Sequence, residues 1–456
     1  MEGKRVLVVG LARTGIGVVR FLAEHRAGVM VTDIQAADEL RPYLSEITGL
    51  NVGTELGEHR IETFLNSDLI VVSPGIPLSI EPIAAAREKG IEVISEIELA
   101  CRFIRDPIIG VTGTNGKTTT TILLGDVLKV SGKKVFVGGN VGNPLIDCAG
   151  RGKWDYVVAE ISSFQLEGIH EFRPHIALML NITEDHLDRY PHYEEYTEAK
   201  FRIFLNQRSS DFAVLNADDG TINAMSSEIR ARRWFFSLTS PLKVGAFFNH
   251  DSLIYRDAKG KVERFKLAKV PLRGIHNIEN MLSVVATAKI CSCPQEAIQT
   301  ALESFRGLPH RLEFVRELDG VGFYNDSKGT NVGSVVKSLM SFQEPIILIA
   351  GGKDKGGDYG PLKGIVKERV KRLILIGEAR QRLAKALGKS VPTTEADTLE
   401  EAVHRAFDQS KHGDVVLLSP ACSSFDMFRD YEERGNLFKE IVHELRGENP
   451  KGAGKQ

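Results

Sequence analysis

The chain has 456 residues, of which 26% are charged and 42% hydrophobic, and its formal net charge is −2. That length exceeds one ordinary hydrophobic core and predicts roughly three domains of 100 to 200 residues. The near-neutral charge, without a basic cluster, argues against nucleic-acid and membrane partners. An odd, scattered set of five cysteines, no N-terminal signal pattern and no apolar run of about 18 residues predict a cytoplasmic protein.

The first predicted segment alternates strand, glycine loop, helix and strand. Residues 5–9 form an apolar strand, Gly10 begins a glycine-rich loop, and a second strand ends at Asp33. This order imitates a dinucleotide-binding fingerprint, whose acid reaches a ribose hydroxyl. Ala12 replaces the second glycine, which weakens an inference of NAD binding. A further strand at 69–72 leads into Ser73, Pro74 and Gly75, a turn at the edge of the sheet where ligands usually bind. Both loops could also be simple tight turns.

The central segment carries a phosphate-binding loop between an apolar strand and a predicted helix at 118–130. Backbone N–H groups and a helix N-terminus bind phosphate oxygens, Lys117 can reach the β- and γ-phosphates, and Thr118 can hold Mg²⁺. Val111 stands where the usual motif has its first glycine, so the loop is a variant. An ordinary glycine turn with a solvated lysine is the alternative. The residues of the predicted ATP site are Gly113, Thr114, Asn115, Gly116, Lys117, Thr118 and Thr119.

Two apolar strands of the central segment end in polar residues. The strand at 156–159 ends at Glu160, and the strand at 176–180 leads towards His186. Carboxyl ends of parallel strands share one edge of the sheet, so these side chains and Thr118 are expected near one metal ion. A helix cap or a surface charge is the alternative for Glu160. On the predicted helix at 192–207, Lys200 falls on the apolar face, where it either extends its ammonium group outward or has a depressed pKa or a modification.

The third segment again alternates strands and helices and therefore predicts another doubly wound unit. Its strands are predicted at 323–324, 346–350, 373–377 and 415–419. Polar clusters at 325–328, 351–355 and 419–426 follow three of these strands. Hydroxyl and amine groups at one edge suit a small substrate that carries carboxylates.

Six motifs together resemble the Mur ligase family over nearly the whole chain. They are residues 112–119, 160–166, 181–188, Lys200, His310-Arg311 and Asp326-Ser327-Lys328. The resemblance implies an α/β fold with a Rossmann-like N-terminal domain at 1–97, a P-loop-type central ATPase domain at 98–307 and a Rossmann-like C-terminal domain at 308–456. Within the family, the closest resemblance is to the member that uses ATP to join D-glutamate to UDP-N-acetylmuramoyl-L-alanine. The residues that carry this resemblance are 10–15, 73–75, 326–331 and 419–424. A monomer is expected.

The resemblance also implies roles for individual residues. Catalysis would rest on Lys117, Glu160, His186 and Lys200. The Mg²⁺ ligands would be Thr118, Glu160, His186 and Lys200, with Lys200 as a carbamate derived from CO₂. Further ATP contacts would be Asn277, Asn280, His310, Arg311, Asp326 and Lys328.

For the other substrates, the resemblance implies two groups. The nucleotide sugar would be bound by Gly10, Thr14, Gly15, Asp33, Ser73 and Gly75, and its muramoyl-alanyl end by Asn140 and His186. D-Glutamate would be bound by Thr330, Lys355, Ser424 and Phe425. Lys353 is an alternative to Lys355.

Three other functions remain open at this point. A ligase of the same class could add another amino acid, as folylpolyglutamate synthetase or a later muramyl-peptide ligase does. The fingerprint between Gly10 and Asp33 allows a nicotinamide oxidoreductase, although that function leaves the phosphate loop unexplained. A non-catalytic nucleotide-binding scaffold is disfavoured by the presence of Lys117, Glu160, His186 and Lys200.

Overall fold

The structure is a computed structural model that describes residues 1–185, 189–272, 274–354, 356 and 358–447. His186 and Lys355, two of the predicted site residues, lie outside the described residues. The chain divides into two compact units. The first comprises Met1–Lys269 and Glu279–Glu303, and the second comprises Val270–Ile278 and the chain from Ser304 onward.

The N-terminal sheet of the first unit is open and entirely parallel, as the sequence predicts. Its strands are β1 (Arg5–Val9), β2 (Gly28–Asp33), β3 (Val52–Leu56), β4 (Leu69–Val72) and β5 (Glu92–Ser95), in the order β3-β2-β1-β4-β5. The helices are α1 (Arg13–Glu24), α2 (Arg41–Ser45), α3 (Ile61–Leu65), α4 (Glu81–Glu88) and α5 (Glu96–Cys101). The strand order reverses between β1 and β4, so the loops after these two strands face one ligand-binding crevice.

The second sheet of the first unit is built around the phosphate loop. Its parallel part contains β6 (Ile108–Thr112), β7 (Val135–Gly139), β8 (Tyr156–Glu160), β9 (Ile176–Met179), β10 (Phe212–Asn216) and β11 (Arg232–Ser237). The helices in this part are α6 (Lys117–Val130), α7 (Ser163–Glu167), α8 (Tyr193–Phe201) and α9 (Gly220–Met225). Strand β6 lies between β8 and β9. The ends of all three strands therefore meet at the loop, as predicted from their apolar runs.

An extension of this sheet was not predicted from the sequence. After β11 the chain forms β12 (Gly245–Asn249), β13 (Ser252–Arg256) and β14 (Val262–Lys266), and β13 runs antiparallel to both neighbours. The predicted helix at 192–207 is also shorter, because α8 ends at Phe201 and a 3-10 turn, Arg202–Phe204, follows. The helices α10 (Ile275–Ile290) and α11 (Gln295–Ser304) come next in the chain.

The sheet of the second unit has the order β15-β16-β20-β17-β18-β19. These strands are β15 (Glu313–Leu318), β16 (Val321–Asn325), β17 (Ile346–Gly351), β18 (Val370–Ile376), β19 (Thr393–Glu395) and β20 (Val415–Leu418). Its helices are α12 (Val332–Leu339), α13 (Leu362–Arg369), α14 (Arg380–Leu387), α15 (Leu399–Asp408) and α16 (Tyr431–Glu444). Only β15 is antiparallel to its neighbour among the described strands of this sheet. In the described part of the chain, no helix combines the length and the apolar character needed to cross a bilayer.

Buried carboxylates of α5 attach the N-terminal sheet to the second sheet. The side chain of Glu98 accepts hydrogen bonds from the backbone N–H groups of His170, Glu171 and Phe172, at 2.8 to 3.1 Å. Arg102 also donates to Glu98. Because a buried carboxylate needs such donors, Glu98 specifies the position of the loop that follows α7.

Glu96 makes a second attachment and introduces a pH dependence. Its Oε1 accepts from the N–H of Ile146 at 2.7 Å, whereas its Oε2 has no hydrogen-bond partner among the described residues. Burial raises the pKa of Glu96 from 4.5 to about 7. A group with a raised folded-state pKa binds its proton more tightly in the folded than in the unfolded chain. Stability is therefore lost as pH rises from about 4.5 to about 7.

We expect Glu96→Gln to remove that pH dependence, because glutamine mimics the neutral acid. A pKa displaced from 4.5 to about 7 corresponds to roughly 3 kcal/mol of unfolding free energy. Urea unfolding of both proteins at pH 5 and pH 8 measures the effect. The wild type should lose more stability than the variant between the two pH values, and an equal loss in both would contradict the account.

Candidate active site

The phosphate loop joins the end of β6 to the start of α6. Gly116 has a φ of +86°, and a Cβ atom there would lie 2.1 Å from Oδ1 of Asn280. A side chain at this position would therefore meet both a disfavoured backbone conformation and a collision. Helix α6 begins at Lys117, one residue before the predicted start, so its N-terminus adjoins the loop, as the predicted phosphate binding requires.

Asn181, at the end of β9, fixes the backbone of this loop. Its carbonyl accepts from the N–H of Thr114 at 2.9 Å, and its Oδ1 accepts from the N–H of Asn115 at 2.8 Å. Its Nδ2 donates to the carbonyl of Asn115 at 3.1 Å. The hydroxyl of Thr114 accepts from the N–H of Thr183 and contacts the hydroxyl of Tyr196. The loop is thus held by β9 and α8 as well as by its own turns.

Two lysines converge on one carbonyl of the loop. Lys117 Nζ donates to the carbonyls of Gly113 and Thr114, each at 2.9 Å, and Lys200 Nζ also donates to Gly113 at 2.9 Å. Two ammonium groups on one oxygen repel each other. The pair is therefore more stable when one amine is neutral or carries a negative group.

Lys200 is the lysine better suited to lose its charge. It is only 2% exposed, and burial, reinforced by the charge of Lys117, lowers its pKa well below the ordinary value. Asp185 and Glu160 act in the opposite direction but less strongly. The Nζ atom lies 4.5 Å from the ring centroid of Tyr196. Of the two possibilities left by the sequence, the outward-extended ammonium group does not occur in this structure, because Lys200 is buried and its Nζ atom donates to the carbonyl of Gly113.

Glu160 ends β8 at the same edge. Its Oε1 accepts from Nδ2 of Asn140 at 2.8 Å, which brings together two predicted site residues from neighbouring strand ends. Its Oε2 is buried and has no hydrogen-bond partner among the described residues. An ionised oxygen in that position calls for a cation or a donor.

The residues at this edge fit a magnesium ion. Glu160 offers a carboxylate oxygen that has no hydrogen-bond partner in the part of the chain that the structure describes, Thr118 offers a hydroxyl in the first turn of α6, and oxygen ligands are those that Mg²⁺ prefers. The described residues contain no group of three or more His, Cys, Asp or Glu side chains that could hold a metal. The predicted magnesium ligands are not a group of that kind. They combine Glu160 and His186 with the hydroxyl of Thr118 and with a modified Lys200.

The N-terminal sheet gathers its predicted ligand residues at the switch point. A Cβ atom on Gly15 would lie 2.1 Å from the carbonyl of Gly10, so α1 can approach the loop this closely only with glycine there. Ser73 Oγ donates to the same carbonyl at 3.0 Å. Asp33 accepts from the N–H groups of Leu11 and Gln35 and so shapes the loop. Its contact with a ribose stays a prediction, as do the contacts of Thr14, half-buried in the first turn of α1, and Gly75.

In the second unit, the predicted residues gather after β16, β17 and β20. Asp326 is buried, and its Oδ2 accepts from the hydroxyls of Ser338 and Ser419, each at 2.7 Å. The N–H of Leu312 donates to Oδ1. Burial raises the pKa of Asp326 to about 6. In this structure Asp326 connects three segments, and direct contact with ATP stays a prediction.

The other predicted residues of this edge differ in exposure. Lys328 Nζ lies 3.8 Å from the ring centroid of Tyr431, Thr330 is half-buried, and Ser424 is buried. Phe425 is 67% exposed and is therefore accessible to a ligand.

Arg434 was not predicted from the sequence, although it shapes this edge. It is fully buried and donates to the hydroxyl and carbonyl of Ser327 and to the carbonyls of Cys422 and Ser423. Burial lowers its pKa to about 10. An arginine in a helix gives no sequence signal for such a role, because it reads as an exposed charge.

The predicted adenine-side residues lie on α10 and in the turn before β15. Asn277 and Asn280 are buried and three residues apart on α10, and Asn280 packs against Gly116. His310 has a φ of +62° and its Nδ1 lies 2.9 Å from Nδ2 of Asn325. Arg311 follows it and lines a cavity of about 590 Å³ in the second unit, together with Asn277. The contacts of these residues with ATP stay predictions.

Family models match three successive parts of the chain. Residues 4–95 match the model described as Mur ligase MurD-like, N-terminal domain, residues 111–288 match the Mur ligase middle domain, and residues 310–422 match the Mur ligase, glutamate ligase domain. The chain belongs to the Mur ligase family. The family resemblance inferred from the motifs is thereby confirmed, and so is an α/β fold with three Mur ligase domains.

Curated relatives match this Mur ligase from end to end. A protein of Geotalea uraniireducens (strain Rf4), named UDP-N-acetylmuramoylalanine--D-glutamate ligase, is 54% identical over 97% of this chain and 98% of its own. A protein of Geotalea daltonii with the same name is 53% identical over 98% of this chain and 99% of its own.

Solved structures share the fold of this Mur ligase at much lower identity. MurF from Acinetobacter baumannii has a TM-score of 0.63 at 15% identity and covers 96% of this chain and 93% of its own. MurC from Thermotoga maritima has a TM-score of 0.62 at 18% identity, covering 96% and 99%. A pseudomurein peptide ligase type C from Methanothermus fervidus has a TM-score of 0.62 at 20% identity, covering 97% and 100%.

Proposed function

We propose that this chain uses ATP to join D-glutamate to UDP-N-acetylmuramoyl-L-alanine in peptidoglycan precursor synthesis, with release of ADP and phosphate. One observation carries this proposal. Over nearly its full length, the chain is 52 to 54% identical to curated relatives that are named for this reaction. The doubly wound N-terminal sheet, the phosphate loop of the second sheet and the α/β sheet of the second unit agree with a nucleotide sugar, ATP and an amino acid as the three substrates. A nicotinamide oxidoreductase leaves the last two features unused.

The reaction must activate a carboxylate that amines attack poorly. An oxygen of the L-alanyl carboxylate attacks the γ-phosphorus of ATP, the bond from that phosphorus to the bridging oxygen breaks, and ADP leaves. The D-glutamate nitrogen then attacks the acyl carbon and forms a tetrahedral intermediate. That intermediate expels phosphate, the nitrogen loses its proton, and an amide remains. Catalysis consists mainly of positioning and charge neutralisation.

The first unit supplies the groups for the phosphoryl transfer. The N–H groups of the loop from Gly113 to Thr119 and the N-terminus of α6 would bind the phosphates. Lys117, which rests on loop carbonyls in this structure, would turn its ammonium group onto the β- and γ-phosphates. Asn140 would hold both Glu160 and the muramoyl-alanyl end of the substrate.

Thr118, Glu160, Lys200 and His186 would hold Mg²⁺, which supplies positive charge next to the phosphate and acyl oxygens. The Oε2 atom of Glu160, which has no hydrogen-bond partner among the described residues, supports its part in this set.

We propose that Lys200 functions as a carbamate. Its neutral amine attacks the carbon of CO₂, a nitrogen–carbon bond forms, and the nitrogen releases a proton to water. The product replaces a cation beside Lys117 with an anion. The low pKa of Lys200 favours this reaction, because only the neutral amine is nucleophilic.

For the second unit, we propose that Thr330, Ser424, Phe425 and either Lys353 or Lys355 hold D-glutamate. Lys355 lies outside the described residues. Lys353 pairs with Ser423 through a backbone bridge, which keeps that loop beside the end of β20. Asn277, Asn280, Arg311, Asp326 and Lys328 are proposed as the remaining ATP contacts.

We further propose domain boundaries at 97/98 and 307/308, a monomeric enzyme that acts on small molecules, and a cytoplasmic location. Both boundaries fall between the ranges that the family models match, 4–95, 111–288 and 310–422, and this supports them. The free thiols of the described cysteines agree with a reducing compartment. Light scattering of the purified protein tests the monomer, and a mass twice that of the chain would contradict it.

The function is tested by measuring phosphate release from ATP and Mg²⁺ with UDP-N-acetylmuramoyl-L-alanine. D-Glutamate, L-glutamate, L-lysine, diaminopimelate and no amino acid are compared, and the product is identified by its mass. We expect release only with D-glutamate. Release with L-lysine or diaminopimelate instead would agree with the ligase chemistry but contradict D-glutamate as the substrate. No release with any of the amino acids would contradict the proposal that the chain is an ATP-dependent ligase.

A further inference from the structure

Arg189 joins the N-terminal sheet to the second sheet. Its Nη1 donates to the carbonyl of Pro74 at 3.2 Å, and its Nη2 donates to the carbonyl of Ile76 at 3.3 Å. Both carbonyls belong to the loop of residues 73–76 that follows β4, which we call the 73–76 loop. The guanidinium group spans this loop with two donors in a fixed geometry.

The 73–76 loop forms one wall of the predicted nucleotide-sugar crevice. Its hydroxyl-bearing residue, Ser73, donates to Gly10 at 3.0 Å, and the N–H of Ile76 donates to the carbonyl of Ser73 at 3.0 Å. The loop thus contacts the glycine loop after β1 on one side and Arg189 on the other. A displacement of the 73–76 loop would change the width of the crevice.

The second sheet determines where the guanidinium group of Arg189 lies. Its Nη2 is 2.7 Å from Oε2 of Glu167, and the side chains of this pair are only 14% and 20% exposed. The hydroxyl of Tyr190 donates to the other oxygen of Glu167. The guanidinium carbon also stacks over the ring of Phe164, 4.3 Å from the ring centroid. The arginine is therefore fixed before it reaches the 73–76 loop.

We propose that Arg189 is a positioning residue for the nucleotide-sugar substrate, because it fixes the 73–76 loop relative to the second sheet. This inference rests on the proposed function. The substrate must place its uridine end in the crevice of the N-terminal sheet and its carboxylate beside the phosphate loop of the second sheet. A contact that joins the two sheets at the crevice wall therefore holds the two binding regions at a fixed separation before the substrate binds.

A second arginine of the first unit offers a matched comparison. Arg151 pairs with Glu24 of α1 at 2.9 Å and so also joins the two sheets, but the side chains are 53% and 56% exposed. This pair does not contact the 73–76 loop or the glycine loop through any of its described hydrogen bonds. Comparing variants of Arg151 and Arg189 therefore separates the effect of joining the two sheets from the effect of positioning the crevice wall.

The test is steady-state kinetics of the wild type, Arg189→Met, Arg189→Lys and Arg151→Met, with each of the three substrates varied in turn. In Arg189→Met we expect the KM for UDP-N-acetylmuramoyl-L-alanine to rise about tenfold, because the 73–76 loop loses two charge-assisted hydrogen bonds and binding free energy must then be used to restore its position. The KM values for ATP and D-glutamate and the kcat should stay near those of the wild type. Arg189→Lys should show a smaller rise, because lysine lacks the fork that spans both carbonyls, and Arg151→Met should show none.

Calorimetric titration with UDP-N-acetylmuramoyl-L-alanine, without ATP, should show the same loss of affinity in Arg189→Met. If that variant does not fold, Arg189→Lys carries the test. An unchanged KM for the nucleotide sugar, or a parallel change in all three KM values, would overturn the inference. So would an equal rise in Arg151→Met. An inactive wild type would instead contradict the proposed function, so the two failures are distinguishable.

Discussion

Lys117→Ala is expected to lower kcat by at least two to three orders of magnitude, with folding retained. A group that neutralises developing charge in a closed site contributes about 3 to 4 kcal/mol to the transition state. Lys117 is the cation placed within the phosphate loop, where it now rests on the carbonyls of Gly113 and Thr114. D-Glutamate-dependent phosphate release measures the effect.

Lys129→Ala is the matched control for that experiment. Lys129 lies on the same helix, α6, but it is in the last turn and 54% exposed, 3.7 Å from Asp126. We expect near wild-type turnover, because an exposed pair of this kind contributes little. Wild-type turnover in Lys117→Ala would contradict the assignment of the phosphate loop.

Lys200→Ala is expected to lose most of the activity and to regain part of it when short carboxylates such as formate or acetate are added. Alanine leaves a space next to the loop carbonyl of Gly113, and a small anion there can replace the carboxylate of the carbamate. The activity of the variant is measured with and without the added anions, and the wild type is measured under the same conditions.

A spectroscopic measurement separates the carbamate from a purely structural lysine. Wild-type protein in ¹³C-bicarbonate should show a carbamate carbon resonance that is absent from Lys200→Ala. Lys289→Ala is the control for the activity measurements, because Lys289 is also a largely buried lysine of the first unit, 15% exposed and paired with Glu263. We expect Lys289→Ala to stay active without added anions. Full activity of Lys200→Ala, or no carbamate signal in the wild type, would contradict the modified lysine.

The fold was predictable wherever one face or both faces of an element are continuously apolar. Strands β1, β4, β6 and β8 read as short apolar runs and occupy nearly the predicted residues. In the extension after β11, which was not predicted, β12 and β13 are mostly buried, whereas β14 is largely exposed and carries polar residues on both faces. An apolar pattern cannot identify a strand that does not bury a face.

The edge that carries the candidate catalytic residues was predictable because parallel strands align their carboxyl ends. That rule alone places Glu160 near the phosphate loop, and the structure adds the hydrogen bond from Asn140. The supporting contacts could not be predicted in the same way. Asn181 and Arg189 each hold a loop that is 66 or more residues away in sequence, and only the packed structure brings such partners together.

The central claim is that the chain activates a carboxylate by transferring phosphate to it. The most direct test uses UDP-N-acetylmuramoyl-L-alanine whose alanyl carboxylate is labelled with ¹⁸O, incubated with ATP, Mg²⁺ and D-glutamate. Our account predicts that the released phosphate carries one ¹⁸O atom, because the oxygen that attacks the γ-phosphorus leaves with it when the amide forms. Unlabelled phosphate, released together with the D-glutamyl product, would contradict an acyl phosphate and require a different route of activation.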